Sequence, residues 1–512
     1  MLLAPMDSTE APKISADYED TPAPPPSPCA PRGVDSLGVP IALLVLALAI
    51  VFVGGAAVRH YGGTTDYTAY GAALLAVLGL AALLAGQWRR ATRVLRCSPE
   101  QWSFFAVFVL FLALYGVTRF GPTPFYEPSL QAAAFLHGHA WVDAPGYMEQ
   151  VGPICNTNLP IARRLLPDCD LTRFGGRTFL VHPPLAAIIM MPVVAAHGGV
   201  VAGADRYQPS VSVVLGAIEM ALAWRLLTLL GLTTSARLWL TAFFGLGTTI
   251  WYEATLGSSW DFVLVASVLP TLLALGEVFG KARPWVVGVF AALAALGRND
   301  LVLAWPGYAL LLMVRGRRMR DLFGLVPGFA MAGMVYGVFN YARYGTFFDQ
   351  SLRLWYRCCD GEGFFNPAFH RAIAGPFSTS FIPANLHTLL FLGWGFNRDT
   401  FPWLHPQGVG QALLLTSPAF VLALRPSLRS RVTLAMWLAA LPAMGASLSV
   451  YATGFMQFGT RYYVQIFPFL LVLVALGVGA GRRVDQLTRI LILASIFLVS
   501  FGVWHIHMFS FG

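Results

Sequence analysis

Residues 88–96 read WRRATRVLR, and this short segment lies between two apolar runs, 66–86 and 103–120. The segment contains four arginines and no acid, a composition typical of a short cytoplasmic loop between membrane spans. Each flanking run is close to the length of about 20 residues that a helix needs to cross the hydrocarbon layer. Together the three segments predict two transmembrane helices joined on the cytoplasmic side.

The composition of the whole chain also indicates a membrane protein. Of its 512 residues, 56% are hydrophobic and 12% are charged, whereas a soluble domain has about 25% charged residues. A large soluble core is therefore excluded. The formal net charge of +9 is attributed to arginines in short cytoplasmic loops, so no nucleic acid is expected among the partners.

Residues 1–37 precede the first apolar run and include five prolines between Pro22 and Pro28. This composition predicts a disordered, Pro-rich cytoplasmic tail with local polyproline conformation. A ligand for an SH3-like domain is the alternative role of such a segment. The acids and prolines of the tail do not fit a cleavable signal peptide, and residues 38–512 are expected to form one transmembrane domain.

The apolar runs predict an all-α polytopic fold with about 13 transmembrane helices, some of them short for a full crossing. The expected spans are 39–58, 66–86, 103–120, 210–231, 238–252, 260–279, 284–297, 301–314, 322–342, 409–424, 432–450, 464–481 and 487–506.

One further apolar run, 183–201, is expected to lie on the outer leaflet or dip into it rather than cross. If it does not cross, the arginine clusters at 315–320, 425–431 and 482–483 are all cytoplasmic. If it crosses, all three clusters lie outside, against the usual distribution of basic residues. A peripheral juxtamembrane helix is therefore favoured, and the C-terminus is expected outside.

This orientation collects the polar segments on the exoplasmic side, where binding and catalysis are expected on such a scaffold. Cys155 and Cys169 share one of these segments, and either a disulfide in an oxidising compartment or two free buried thiols would fit. The segments are two long loops, 121–209 and 343–408, and shorter ones near 253–259, 298–300 and 451–463.

Glu127 lies just after the third predicted span, in the stretch GPTPFYEP at 121–128. A carboxylate at the membrane border is partly desolvated, which raises its proton affinity and suits a general base. An interfacial acid that caps the following helix is the structural alternative. Asp143 and Glu149 are rival acids in the same loop, and Asp143 is kept as the second candidate base.

Two arginines at the membrane border are candidates for binding a phosphate, because a guanidinium offers planar donors and stays charged. Arg298 lies between two short predicted spans, where an ion pair with Asp300 is the structural alternative. Arg461 lies among aromatic residues, including Tyr463, that either stack on a sugar or anchor the membrane interface. Arg343 and Arg398 are weaker candidates.

His182 lies in the stretch VHPPL at 181–185. The paired prolines end an extended segment and fit the first turn of a helix. We assign His182 a positioning role rather than that of a base, and we assign Tyr463 a positioning role as well. No hard-ligand cluster, nucleotide loop or HExxH motif is evident, so no metal and no soluble nucleotide are expected.

In their order along the chain, these features are similar to those of a known superfamily. An acid in the first long loop is followed by LHG at 136–138, VHPPL at 181–185, Gly297-Arg298 and the segment 454–463. This set resembles the GT-C glycosyltransferases that use polyprenyl-phosphate sugars, especially relatives of protein O-mannosyltransferases and of the lipid A aminoarabinose transferase. The likeness covers roughly residues 104–481.

The resemblance implies a lipid-linked donor whose sugar passes from phosphate to an acceptor hydroxyl on the exoplasmic face of a bacterial inner (plasma) membrane. It implies that Glu127 acts as the base and that Arg298 and Arg461 hold the leaving phosphate. The chain departs from the family at Tyr126-Glu127, where an Asp-Glu or Asp-Asp pair is common, and in two extra spans at its start. The alternative functions are a transporter or flippase of lipid-linked saccharides and a non-catalytic subunit of polysaccharide assembly.

Overall fold

The computed structural model describes residues 99–142, 171–355, 376–399, 403–450, 454, 457–479, 481 and 483–509. The predicted tail, the first two predicted spans, Asp143, Glu149 and all six cysteines lie outside these residues, so those predictions are not addressed by the structure.

The described chain is mostly helical. Its α-helices are α1 (Pro99–Val117), α2 (Glu127–Leu136), α3 (Leu185–Ala196), α4 (Ala204–Leu229), α5 (Thr234–Leu246), α6 (Ile250–Leu256), α7 (Ser259–Phe279), α8 (Pro284–Gly297), α9 (Trp305–Val314), α10 (Val326–Tyr344), α11 (Ser351–Trp355), α12 (Ile382–Phe391), α13 (Leu413–Thr416), α14 (Arg431–Leu448), α15 (Phe467–Val478) and α16 (Gln486–Phe509). The 3-10 helices are Asn299–Ala304, Met319–Leu325, Thr379–Phe381, Pro418–Leu424 and Arg461–Ile466. The strands are β1 (Leu171–Phe174), β2 (Arg177–Leu180), β3 (Gly395–Phe396) and β4 (Leu404–His405).

Six helices in the described residues are long and apolar enough to cross a membrane, in agreement with an integral membrane protein. They are Ala204–Leu229, Ser259–Phe279, Met319–Tyr344, Arg431–Leu448, Arg461–Val478 and Gln486–His507. Shorter apolar helices occur at other predicted spans, including Trp102–Val117, Pro284–Gly297 and Asn299–Val314. The total of 13 spans stays a prediction.

The predicted span 409–424 does not form one continuous helix. It consists of α13 and the 3-10 helix Pro418–Leu424, which are separated at Ser417 with φ −134° and ψ 67°. The cause is local, because the ring of Pro418 disfavours helical backbone at the residue before it.

The run predicted to be peripheral contains α3, a helix of 12 residues. At 1.5 Å per residue it extends about 18 Å, which is less than the hydrocarbon layer of about 30 Å. Pro184 occupies the N-cap position, and α3 packs against α2.

The first long loop also contains a β-hairpin, so the described fold is not purely α-helical. Strands β1 and β2 pair antiparallel, with Leu171 opposite Leu180 and Phe174 opposite Arg177. The connecting Gly175 and Gly176 have φ values of +59° and +77°. Two consecutive positive φ angles define the tight hairpin turn that matches the twist of the strands.

Helix α7 is central to the packing of the described chain. It packs against α4 on one side and α8 on another, and α1 packs against α4. An apolar cluster that includes Ala132, Met190 and Phe262 joins α2 and α3 to α7. This packing places the first loop against the beginning of α7.

Candidate functional site

The beginning of α7, residues 258–261 with the sequence SSWD, connects several of the predicted site residues. The backbone N–H of Glu127 donates a 2.9 Å hydrogen bond to the Ser259 hydroxyl. The Ser258 hydroxyl donates to the Asp261 carboxylate. Trp260 lies between Ser259 and Asp261 in the sequence, and the rest of the site is arranged around its ring.

Trp260 contacts residues from two distant parts of the sequence. Its ring meets that of His182 edge to face at 4.2 Å between centroids. The guanidinium carbon of Arg461 lies 5.6 Å from the Trp260 ring centroid, and the Tyr462 ring lies 6.4 Å away. The structure therefore brings His182 and Arg461 together, although 278 residues separate them in the chain.

Arg298 reaches the same group of residues through Tyr462. Its guanidinium carbon lies 5.6 Å from the Tyr462 ring centroid, and that of Arg461 lies 5.8 Å from the same ring. Arg298 also forms an ion pair with Asp300 at 3.6 Å. The ion pair with Asp300, which is the structural alternative for Arg298, is therefore present, and Arg298 also lies near Arg461.

Asp300 is itself held in place by two hydrogen bonds. Its Oδ2 accepts from the Gln465 amide at 2.6 Å and from the Ser447 hydroxyl at 2.8 Å. Arg298 is positioned at the end of α8 by Gly297, where an added Cβ would lie 2.4 Å from the Ser267 hydroxyl oxygen. A small residue there lets α8 and α7 approach each other closely.

His182 is buried, and its ring is uncharged at neutral pH. Burial, reinforced by the positive charges of Arg461 and Arg298, lowers the pKa of His182 to about 3. Neither ring nitrogen has a hydrogen-bond partner among the described residues. A neutral imidazole with available nitrogens fits a positioning role and is not a phosphate-binding cation.

Two acids that the sequence analysis did not select lie beside Arg461. Glu253 and Asp261 are both buried and lie close enough to interact electrostatically. Burial, together with the charge of Asp261, raises the pKa of Glu253, and Arg461 opposes that shift. Since a like charge nearby disfavours ionisation, Glu253 keeps its proton more readily than a free carboxyl group does. We call Glu253 and Asp261 the acid pair.

A sequence signal for the acid pair exists. Both residues lie in WYEATLGSSWD at 251–261, on either side of a predicted exoplasmic turn. Acids at both ends of a turn between two spans are brought together when the spans pack side by side. Neither acid stands out in the sequence, because each falls at the edge of an apolar run.

Glu127 is the first residue of α2 and is fully buried. The next turn of α2 is held by Gln208, whose side-chain oxygen accepts from the Ser129 hydroxyl at 2.9 Å. Gln208 in turn donates to the Gly257 carbonyl at 3.1 Å. Glu127 is therefore closed off from solvent, rather than partly exposed as expected, and lies next to the beginning of α7.

The remaining candidates are placed differently. Tyr463 is buried in the main apolar core, whereas its neighbour Tyr462 contacts the two arginines. Arg343 is buried and donates to the Leu180 carbonyl at 2.7 Å, and Arg398 is exposed. Among the described residues, no group of three His, Cys, Asp or Glu side chains could hold a metal ion.

Comparisons of the chain with protein-family models, with curated proteins and with solved structures found no match.

Proposed function

We propose that this protein is a membrane glycosyltransferase of the GT-C type, which transfers a sugar from a polyprenyl-phosphate donor to an acceptor hydroxyl. The acceptor is a glycan, a lipid or a protein, and the site is proposed to face the exoplasm. The observation that carries the proposal is the position of Arg298 and Arg461 over one ring, Tyr462, beside a neutral His182.

The two guanidinium groups suit a phosphate. Two permanent positive charges on one aromatic ring repel each other, and a bound anion relieves that repulsion. Asp300 provides one negative charge, at 3.6 Å from Arg298. His182 adds an N–H donor without adding charge, so a phosphate oxygen could accept from it directly.

Trp260 suits the sugar of the donor. Its ring packs against His182 and lies near Arg461, so a sugar attached to the phosphate would meet an aromatic surface. Aromatic side chains pack well against the apolar face of a sugar ring while polar neighbours bond its hydroxyls. The acid pair provides carboxyl oxygens beside Arg461 for such hydrogen bonds.

In the proposed reaction the acceptor oxygen forms a bond to the anomeric carbon, and the bond from that carbon to the phosphate oxygen breaks. The electron pair of the broken bond stays on the phosphate, where Arg298 and Arg461 stabilise the charge. The acceptor proton passes to a carboxylate, for which Glu127 is the first candidate and Asp143 the second. The acid pair is a third candidate once Glu253 has lost its proton.

The test uses the full chain reconstituted in sealed lipid vesicles with a panel of radiolabelled polyprenyl-phosphate hexoses and pentoses, and with membrane extract as the acceptor source. The measurement is the transfer of label to the acceptor together with the release of polyprenyl phosphate. Arg298→Gln and Arg461→Gln are each expected to lower transfer by about 100-fold or more, as for the loss of a charge-stabilising donor. Arg206→Gln is the matched control, since its side chain is 77% exposed.

The outcomes separate the alternatives. Glu127→Gln with unaltered transfer would remove Glu127 as the base and leave Asp143 or the acid pair. Movement of intact labelled lipid across the bilayer without sugar transfer would establish the transporter alternative. Absence of both transfer and movement with every donor would reject the proposal.

A further inference from the structure

The C-terminal end of α10 contacts the strand that leads to His182. The Arg343 side chain is fully buried, and its guanidinium donates to the Leu180 carbonyl at 2.7 Å and to the Asn340 side-chain oxygen at 2.6 Å. Leu180 ends β2, two residues before His182. Arg343 therefore holds the chain that positions the imidazole.

Helix α10 also contacts the turn that follows Arg298. The Asn299 amide donates to the Tyr336 hydroxyl at 2.6 Å, and that hydroxyl donates to the Asp349 carboxylate at 2.6 Å. Asn299 is the residue next to Arg298, at the start of the 3-10 helix Asn299–Ala304. Tyr336 therefore links the turn beside Arg298 to the segment that follows α10.

Asp349 interacts with both Arg343 and Tyr336. Its Oδ1 lies 3.6 Å from the Arg343 guanidinium and accepts from the Ser351 backbone N–H at 2.8 Å. Ser351 is also bonded to Tyr344 through their hydroxyls at 2.9 Å. One carboxylate in the segment after α10 is thus connected to both sides of the candidate site.

We propose that Tyr336, Arg343 and Asp349 form a coupling network through which residues 345–355 control the relative positions of Arg298 and His182. The network touches neither the proposed phosphate position nor the acid pair, so its members are positioning residues. Only the choice of ligand, a prenyl phosphate, rests on the proposed function. Displacement of the segment by an acceptor or partner would release Asn299 and Leu180 together and weaken anion binding.

The first test measures hydrogen–deuterium exchange of the full chain without ligand. Tyr336→Phe removes the hydroxyl that joins Asn299 to Asp349, and exchange is expected to increase in peptides covering 298–304 and 345–352. Tyr341→Phe is the matched control, because it is the same substitution on the same helix and the Tyr341 ring is exposed. Equal exchange in the two variants would overturn the proposal whatever the protein binds.

The second test measures binding of farnesyl phosphate, with farnesol as the probe that lacks the phosphate. Loss of a hydrogen bond to a charged partner corresponds to a weakening of about tenfold, which is expected for Tyr336→Phe and not for Tyr341→Phe. If Tyr336 acts through Arg298, the effects of Tyr336→Phe and Arg298→Gln are not additive in the double variant.

A negative result in one of the two tests does not decide the outcome of the other. Additive effects in the double variant would overturn the coupling to Arg298 even if farnesyl phosphate binds well. No binding of farnesyl phosphate to the unaltered protein would count against the proposed function, and the exchange measurement would still decide whether the network couples the two segments.

Discussion

His182, which lies near the two arginines, and Glu253 of the acid pair are both buried. Burial shifts the pKa values of these two groups in opposite directions. Near Arg298 and Arg461, burial lowers the pKa of His182 and leaves its ring neutral. At the acid pair, burial raises the pKa of Glu253 and keeps a proton on it. In both places desolvation favours the uncharged form.

The difference lies in what stays charged. Guanidinium groups keep their proton under conditions in which imidazole and carboxyl groups change state. With His182 neutral and Glu253 protonated, Arg298 and Arg461 carry the positive charge of the site, opposed by Asp300 next to Arg298 and by Asp261. A phosphate that binds here therefore depends on the two guanidinium groups.

The largest effect is expected at Arg461, the residue close to both parts. Arg461→Lys keeps the charge but loses the planar donors and the stacking on Trp260 and Tyr462. Affinity for a prenyl phosphate is expected to fall by about tenfold, since charge-assisted bonds of this kind contribute about 1.5–3 kcal/mol. The measurement is ligand binding to the purified protein. A lysine variant equal to the unaltered protein would show that charge alone matters.

A smaller effect is expected from the pH dependence that His182 causes. As the pH falls from about 6.5 towards about 3, the unfolded chain takes up a proton at this residue and the folded chain does not. The free energy of unfolding therefore falls as the pH is lowered through that window. Thermal unfolding of His182→Gln should depend less on pH there. Parallel curves for the two proteins would contradict a neutral His182.

The acid pair should show the reverse dependence. The folded chain keeps a proton on Glu253 at pH values where the unfolded chain has lost it, so stability falls as the pH rises above 4.5, the ordinary pKa of a glutamate side chain. Glu253→Gln removes this loss, and the variant should be the more stable protein at alkaline pH. Thermal unfolding at increasing pH measures the difference, with the exposed Glu100→Gln as the control. A variant destabilised at every pH would argue against a protonated Glu253.

The smallest effect is expected at Ser259, which connects Glu127 to α7. Ser259→Ala removes the acceptor of the Glu127 backbone N–H and should reduce the free energy of unfolding by about 0.5–1.5 kcal/mol. Ser500→Ala is the control, because that hydroxyl donates to the Ile496 carbonyl of its own helix. The two variants are compared by denaturant unfolding, and equal losses would show that the contact with Glu127 contributes little.

Much of the helical framework follows from hydropathy. The helices Ala204–Leu229, Ser259–Phe279 and Gln486–His507 lie close to the predicted spans, because a run of about 20 apolar residues satisfies its backbone in lipid only as a helix. The break at Ser417 and the hairpin turn at Gly175-Gly176 have local causes in proline and glycine chemistry. Both signals are readable in the sequence: Pro418 lies inside a predicted span, where the apolar pattern favours a continuous helix, and Gly175-Gly176 lies in the long exoplasmic loop.

The candidate site was predicted only in part. The resemblance implies that Arg298 and Arg461 hold one phosphate, and the sequence gives His182 a positioning role. The structure places all three around Trp260 and Tyr462. Tyr463 was selected where Tyr462 makes the contact, because a 3-10 turn directs neighbouring side chains to different sides. The acid pair was missed, since proximity between positions 253 and 261 depends on how α6 meets α7.

The sequence by itself determined that the chain is helical and apolar enough for a membrane, since composition and run length do not depend on how the helices pack. The tertiary structure decided which ionisable groups lie close together and which of them keep their charge. Burial around α7 neutralises His182 and Glu253, while the arginines keep their charge, and this depends on distances between residues that are far apart in the chain.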